Sequence, residues 1–516
     1  MLRRASKRSL ANLGLVAASL LGCVSGCGGE GVTPPVVPQR PVIAPEGPPK
    51  AVDPTPAKTP VPPADPWALP EGPRDDDPVS PPAPALRLDD WERARKAKGI
   101  AAAPASCAQA KKPAATAKPE EVARAADLAP VECADGITDA LLERRGAATG
   151  EVLHVLVGLS LASKLSRTAG APPVMGAIKE KEKVKAFIAG PLKTWVVEQA
   201  TAIETLASGA AGLAGYGRGI AAIEAGIAEL RLVDKIRSAP VPATWDPELK
   251  AVYEAALDDA LEPRKRRGRD AALVGMSDFA QIGVIRDARI ERARTLLSKL
   301  YGGRRIDALE ALLVPQQGPV ARAPAIHWPD LTANDATKDP NILVRAIPQG
   351  VRAKMRATPD AALLSPYARG RLDMGRVYWR RMDFVEAAHA AKASSAPEDR
   401  LVLAVALALA HAPNGAAAMM AAPSPSALDL SHTEALDALA TDPKTPPALA
   451  GMAAFDAAHL RSLSPPEGAD AVTHLRDVAT RFEKAEALLL DPLHKKKAAE
   501  RAAEAKSIAA AAEKKK

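Results

Sequence analysis

The chain has 516 residues, a formal net charge of +8 and an aromatic content of 3%. Residues 1–26 carry four of the positive charges and no acidic residue, and residues 494–516 carry a net charge of +5. The body between these two segments is therefore close to neutral. This distribution argues against nucleic acid as a partner, because a nucleic-acid-binding domain carries its basic residues on its folded surface.

The first thirty residues have the organisation of an export signal. Arg3, Arg4, Lys7 and Arg8 precede an apolar run, residues 10–22, that ends in small residues. A membrane-spanning helix needs about 20 apolar residues, so this run is too short to cross a bilayer. The pattern is typical of a secretory signal peptide.

The end of this signal resembles the lipobox of bacterial lipoproteins. The letters VSGC at residues 24–27 match that motif fully, and LLGC at residues 20–23 match it less well. The resemblance implies a lipoprotein signal peptide over residues 1–26 and acylation of Cys27, with Cys23 as the alternative acceptor. Several acyl chains at one cysteine are expected to anchor the protein stably to a membrane.

The residue after the acceptor cysteine is Gly28. In bacterial lipoproteins an Asp at this position directs retention in the inner membrane, so the resemblance implies the outer membrane, on its periplasmic side. An ordinary secretory signal with two incidental cysteines stays open as the alternative, in which case the protein would be exported without a lipid.

Residues 27–90 predict a disordered, proline-rich tether. Nineteen of the 48 prolines lie in residues 34–84. Proline fixes φ and has no backbone N–H, so helix and sheet are both disfavoured. An extended polyproline II segment rises ~3.1 Å per residue, and this one would reach on the order of 150 Å. A set of proline-rich docking motifs is the alternative.

Residues 91–136 predict a loosely ordered segment that contains Cys107 and Cys133. Export to an oxidising compartment favours a disulfide between these cysteines. Closing such a loop is nominally worth about 3–4 kcal/mol. A metal site is disfavoured, because neither cysteine belongs to a CxxC motif or has a histidine nearby.

Residues 137–315 predict an N-terminal helical domain. Apolar residues recur at helical spacing, as in Ile220, Ile223, Ile227 and Leu230, and no convincing period-two run is found. This periodicity predicts amphipathic helices that pack on one another.

The densest basic cluster of the body lies at residues 262–270. Its arginines Arg264, Arg266 and Arg267 are candidates for binding an acidic partner. A solvated turn between two helices is the alternative interpretation.

The helical periodicity of apolar residues is lost in residues 316–365. This segment predicts an irregular linker between two helical lobes. Trp328 is a candidate contact residue for a partner. It is equally suited to fill a gap between the lobes.

Residues 371–397 resemble one tetratricopeptide unit. Gly375 and Tyr378 stand where that repeat has the glycine and the aromatic residue of its first helix, and Phe384 and Ala387 match the turn and the small residue of its second helix. The resemblance implies a helical-hairpin array over residues 366–490.

The resemblance is partial, because Arg371 occupies the usual tryptophan position and no clear unit follows 34 residues later. The predicted fold class is therefore all-α, as a tetratricopeptide-like α-solenoid or a general helical bundle. Arrays of this family hold a peptide or a protein along a concave face. Tyr378, Trp379 and Arg380 are thus candidate partner-binding residues.

Residues 491–516 predict a basic helical tail rich in alanine and lysine. Weak contact with anionic lipid or with the cell wall is one role for it. A solubilising chain end is the alternative.

Motifs of catalysis are missing from the sequence, which has no HExxH, GxSxG, P-loop or EF-hand pattern. The glycine-rich stretch at residues 209–219 follows a helix rather than a strand, so it predicts a flexible helix–helix connection. Glu386 and His389 form a single ExxH, too few ligands for a carboxylate–metal site. We therefore expect no catalytic residue, no metal and no cofactor.

The resulting hypothesis is a non-enzymatic, lipid-anchored cell-envelope protein whose helical array is a scaffold for another envelope protein, as yet unidentified. Two alternatives stay open. One is an envelope enzyme with an unrecognised site, for example one that acts on peptidoglycan. The other is a passive spacer between membrane and cell wall.

Overall fold

The structure is a computed structural model that describes residues 65–70, 85–110, 112–174, 181–239, 245–282, 284, 287–301, 308–315, 361–411, 430–464 and 470–514. The chain divides into two compact units, Met1–Ala68 and Leu69–Lys516. The described residues of the first unit form a turn, in which the Trp67 amide donates to the Asp65 carboxylate at 3.0 Å.

Several sequence predictions fall outside the described residues. These are the signal peptide, the acyl acceptors Cys27 and Cys23, the contact residue Trp328, and nearly all of the tether and the linker. The remaining description concerns the second unit.

The second unit is all-α, which confirms the predicted fold class, and its described residues contain no strand. The helices are α1 Leu88–Arg95, α2 Pro119–Leu128, α3 Asp135–Leu142, α4 Gly150–Ser166, α5 Lys181–Phe187, α6 Lys193–Gly209, α7 Gly215–Arg237, α8 Pro247–Ile282, α9 Ala288–Leu300, α10 Ala361–Tyr378, α11 Arg381–Ala393, α12 Asp399–Ala410, α13 Glu434–Thr441, α14 Pro447–Leu463, α15 Ala471–Leu488 and α16 Pro492–Glu513. Single 3₁₀ turns form at Ala105–Gln109, Val131–Cys133 and Ala308–Ala311. None of the helices searched is both long and apolar enough to cross a membrane.

Helix α8 is longer than the sequence predicts. It begins at Pro247, a favoured first helical residue, but it continues through Pro263 to Ile282. Pro263 has no backbone N–H, so the Asp259 carbonyl loses its helical hydrogen-bond donor. Both residues lie on the exposed side of the helix, where water can donate to that carbonyl. The basic cluster at residues 262–270 is therefore part of a helix and not a turn between helices.

Small residues let the helices of the N-terminal half approach closely. Helices α4, α6, α8 and α9 all pack against α7. A Cβ added at Gly226 of α7 would lie 2.5 Å from the backbone nitrogen of Ala272 in α8, and one added at Gly217 would overlap the His154 carbonyl of α4. The glycine-rich stretch at residues 209–219 thus supplies a packing surface at the start of α7, besides the connection that the sequence predicts.

Residues 91–136 contain helices rather than a loosely ordered segment. Helix α1 packs against α4 and α6, and α2 packs against α3 and α4. The buried Trp91 donates its indole N–H to Ser160 Oγ at 3.1 Å. Cys107 and Cys133 form the disulfide that the sequence predicts, with their Cα atoms 5.2 Å apart. The partners of α1, helices α4 and α6, are distant along the chain, so the local composition did not reveal this packing.

The C-terminal half is the helical array that the sequence predicts. From α10 to α16, each helix packs against the next one along the chain. Helix α16 packs on α15 through buried alanines, namely Ala498, Ala502, Ala505 and Ala509. The predicted basic tail is therefore the last helix of the array.

The tetratricopeptide-like unit corresponds to α10 and α11. A Cβ at Gly375 would overlap the ring of Phe384, and Ala387 is fully buried, as the resemblance implies. Arg371, which stands at the usual tryptophan position, is also buried. Its guanidinium pairs with Asp383 and lies 3.0 Å from Glu386. An ion-pair network thus replaces an aromatic residue inside this hairpin.

We expect Gly226→Ala to lower the free energy of unfolding by about 1–3 kcal/mol, the usual range for overpacking a core. The added Cβ meets the backbone of α8, so α7 and α8 have to separate. Equilibrium unfolding in urea measures the change.

Gly136→Ala in α3 is the matched control, because a Cβ there meets nothing within 4 Å. Alanine is favoured over glycine inside helices by about 0.5–1 kcal/mol, so this variant should be as stable as the wild type or more stable. Equal losses in both variants would contradict a close α7–α8 contact.

Candidate functional site

A short stretch between the two halves lies against the C-terminal array. We call residues 308–315, with the sequence ALEALLVP, the inner segment. It begins with the 3₁₀ turn Ala308–Ala311, and its leucines Leu309, Leu312 and Leu313 are buried. Leu313 belongs to a core cluster that includes Phe455 of α14 and Phe482 of α15. The inner segment therefore packs on the array as a leucine-bearing turn.

Side chains of the array bind the backbone carbonyls of the inner segment. Arg376 of α10 donates from Nε to the Leu309 carbonyl at 2.9 Å, and from Nη2 to the carbonyls of Glu310 at 3.0 Å and Leu312 at 3.2 Å. Lys497 of α16 donates to the Ala311 carbonyl at 3.3 Å.

Two residues of α14 complete the contacts. His459 Nε2 lies 2.9 Å from the Ala308 carbonyl, which can only accept, so this nitrogen carries the proton. Asp456 Oδ1 accepts from the Leu313 N–H at 2.7 Å. Side chains of three helices thus bind five successive carbonyls and one N–H. We call Arg376, Asp456, His459 and Lys497, with the surface between them, the groove.

Neighbouring groups orient the groove residues. Asp456 and His459 are three residues apart in α14 and so share one helix face. The ring of Phe455 stacks on the His459 ring with centroids 6.3 Å apart, and the Lys497 ammonium lies 5.4 Å from the Phe455 centroid. Asp373 lies 3.2 Å from the Arg376 guanidinium, one turn earlier in α10.

Burial shifts the pKa values of the groove residues in opposite directions. It raises the pKa of the Asp456 carboxyl to about 7, against the hydrogen bond from Leu313 and the nearby charges of Arg376 and Lys497. It lowers the pKa of His459 to about 4. Burial, assisted by the positive charge of Arg501, also lowers the pKa of Lys497. His459 is therefore neutral at physiological pH, while Asp456 is poised between its two forms.

One contact joins the inner segment to the N-terminal half. The carboxylate of Glu310 accepts a hydrogen bond from Arg294 of α9. The Arg294 side chain is almost completely buried, whereas that of Glu310 remains 41% exposed. An acidic residue at this position therefore meets a fixed positive charge.

The candidate residues Tyr378, Trp379 and Arg380 do not line the groove. Tyr378 and Trp379 are buried, and the Tyr378 hydroxyl donates to the Val284 carbonyl. Trp379 has a φ of 54°, which turns the chain between α10 and α11. Arg380 lies 3.5 Å from Asp383. Tyr378 thus joins the two halves, and Trp379 forms part of the core of the array.

The basic candidates of α8 are matched by acids. Arg264 is buried and bonded to Glu229, while Arg266 is exposed and lies 3.0 Å from Glu262. Arg267 is exposed, with Glu229 3.9 Å away. The cluster is therefore less basic than its sequence indicates.

The described residues contain no group of three or more histidine, cysteine or acidic side chains able to hold a metal ion. The raised carboxyl pKa values of Asp127, Glu224 and Glu229 all belong to buried groups beside arginines. These carboxylates serve packing rather than an open catalytic cleft.

The sequence analysis did not identify the groove residues. Asp456 and His459 interrupt an apolar run, MAAFDAAHL, and that pattern was the available signal for a buried polar site. Arg376 and Lys497 resemble ordinary surface cations, and no local pattern distinguishes them.

We predict that Asp456→Asn changes the pH dependence of stability. The folded pKa is about 7 against an ordinary 3.8. Wild-type folding therefore takes up a proton between about pH 4 and 7, and stability falls as the pH rises through that window. An amide still accepts from Leu313 and does not titrate. Relative to wild type, the variant should gain up to about 4 kcal/mol from pH 4 to 7.

His459→Gln provides the control of opposite sign. The folded pKa of His459 is about 4 against an ordinary 6.5, so it makes wild-type stability rise with pH across that interval. The variant should lose stability relative to wild type over the same pH range. Urea unfolding at pH 4, 5.5 and 7 measures both differences, and parallel curves for all three proteins would contradict the burial of this pair.

Comparison with protein family models, with curated proteins and with solved structures finds no match to this chain.

Proposed function

We propose that this chain is a non-enzymatic, lipid-anchored cell-envelope protein whose helical array binds a partner protein in an envelope complex. The observation that carries the proposal is the groove, in which Arg376, Asp456, His459 and Lys497 bind the backbone of a short segment. Hydrogen bonds to backbone groups, combined with pockets for a few side chains, are a common means of peptide recognition.

The N-terminal sequence supports the anchored location. The basic start, the short apolar run and the lipobox-like residues 24–27 fit a lipoprotein signal, with Cys27 as the acceptor and Cys23 as the alternative. Gly28 favours the outer membrane, facing the periplasm, by resemblance to the sorting rule. A tether with a reach on the order of 150 Å would let the array meet partners away from the membrane.

The test is site-specific photo-cross-linking in cells. A benzophenone amino acid is placed at position 501, where the Arg501 side chain is 45% exposed one helical turn after Lys497, and as a control at position 274, where Val274 is 51% exposed on α8. We expect a reproducible adduct with one or two envelope proteins from position 501 and not from position 274. Mass spectrometry of the membrane fraction identifies the adduct.

The anchor is tested in the same cells with the Cys23→Ala, Cys27→Ala double variant. Loss of both acceptor thiols should move the protein from the membrane to the soluble fraction and abolish the adduct. Failure of position 501 to cross-link in the anchored protein would contradict the scaffold function. A double variant that fractionates like wild type would contradict lipid attachment.

A further inference from the structure

We infer that the groove also accepts a leucine-bearing turn from the partner protein, and that the inner segment is a built-in competitor for it. The inference rests on the proposed function, because it names the chemistry that the partner presents. The structure shows one occupant of the groove, and the contacts of that occupant define what a partner segment has to supply.

The contacts are largely independent of the occupant's sequence. The carbonyls of residues 308–312 accept from Arg376, His459 and Lys497, and every peptide has such carbonyls. The sequence-dependent part is the burial of leucines at positions i, i+3 and i+4 of the inner segment. A single turn with that leucine spacing in another chain would make the same contacts.

The inner segment leaves one groove atom unsatisfied. Asp456 is fully buried, and its Oδ2 has no hydrogen-bond donor in the described part of the chain. The Leu313 N–H uses Oδ1, and two residues later Pro315 has no N–H to offer. An occupant that offers a donor to Oδ2 would satisfy the carboxylate better, and a serine in place of the proline is the smallest change that adds donors.

One cation beside the groove favours an acidic residue at the second position of the occupant's leucine turn. The other cations have acidic neighbours of their own, since Asp373 lies 3.2 Å from Arg376 and Glu504 lies 2.8 Å from Arg501. Arg294 pairs with the acidic residue of the inner segment, Glu310. The partner segment is therefore an acidic turn of the form Leu-Glu/Asp-x-Leu-Leu, followed by a hydrogen-bond donor.

Fluorescence anisotropy with a labelled peptide, ALEALLVP, tests this inference on the full chain in detergent. In the variant Leu309→Ser, Leu312→Ser the internal competitor is weakened, and we expect the peptide to bind at least tenfold more tightly than to wild type. A second peptide, ALEALLVS, should bind more tightly than the first. Adding Arg376→Gln to the variant should reduce binding of both peptides.

The matched control peptide, ASEASLVP, carries serine in place of the first two leucines, and it should not bind. A variant that keeps its helical circular dichroism and its elution volume but binds neither leucine peptide would overturn the inference. So would a wild-type dimer in which the groove of one copy holds the inner segment of the other, because the occupant would then be this chain itself.

Hydrogen exchange on the wild type covers the case in which the variant fails to fold. On the order of 10 mM free ALEALLVS, which exceeds a typical effective concentration of a tethered segment, should speed exchange at the Leu313 amide. Amides of α12 should not change. If the peptide does not change the exchange rate of the Leu313 amide, the inner segment is a permanent part of the fold, and the inference is wrong.

The two tests fail separately. Peptide binding in vitro without a cross-linked protein in cells would support the groove and refute the envelope scaffold. A cross-linked partner without peptide binding would support the scaffold and refute this mode of recognition.

Discussion

The burial of arginine is the constraint on which this fold depends. With only 3% aromatic residues, the chain has few large apolar side chains, and Arg294 and Arg371 rank among its largest fully buried ones. A guanidinium removed from water needs acceptors in a fixed geometry. Arg289 shows the result, because it lies 2.9 Å from Asp127 of α2 and 3.0 Å from Asp287 at the start of α9. Such pairs allow only one register between helices that small residues would otherwise let slide.

Arg376 meets the same requirement in another way. Its close contacts include three backbone carbonyls of the inner segment, besides the carboxylate of Asp373. A carboxylate partner in a neighbouring helix fixes the fold, because it belongs to the same packed core. Carbonyl partners in a short turn outside the array do not depend on the identity of that turn. The groove thus uses the principle that holds the helices together, but applies it to backbone carbonyls, which any sequence at that position supplies.

The sequence predicted those parts of the molecule that depend on local pattern. Helical periodicity identified the all-α body, and Gly375 with Phe384 identified the closest contact of α10 and α11. Burial of Tyr378 and Trp379 was not predicted, because the left-handed turn at Trp379 directs the chain back across the core. The groove was missed for a further reason. His459 interrupts an apolar run, but the carbonyl that it meets lies 151 residues away in the chain, and no local pattern points to that partner.

An internal occupant also sets the conditions under which a partner can bind. A segment attached to its own groove competes at an effective concentration that reaches the millimolar range for short linkers. The apparent affinity of a partner is lower when the inner segment fills the groove in a large fraction of the molecules. A partner therefore needs either a higher intrinsic affinity or a high local concentration. The unsatisfied Oδ2 of Asp456 limits how tightly the inner segment itself can bind, because a buried carboxylate oxygen without a donor destabilises the filled state. A partner that supplies this donor gains at the atom where the internal segment is weakest. On the proposed function, selectivity for the partner would then arise from one hydrogen bond that the chain does not make with itself.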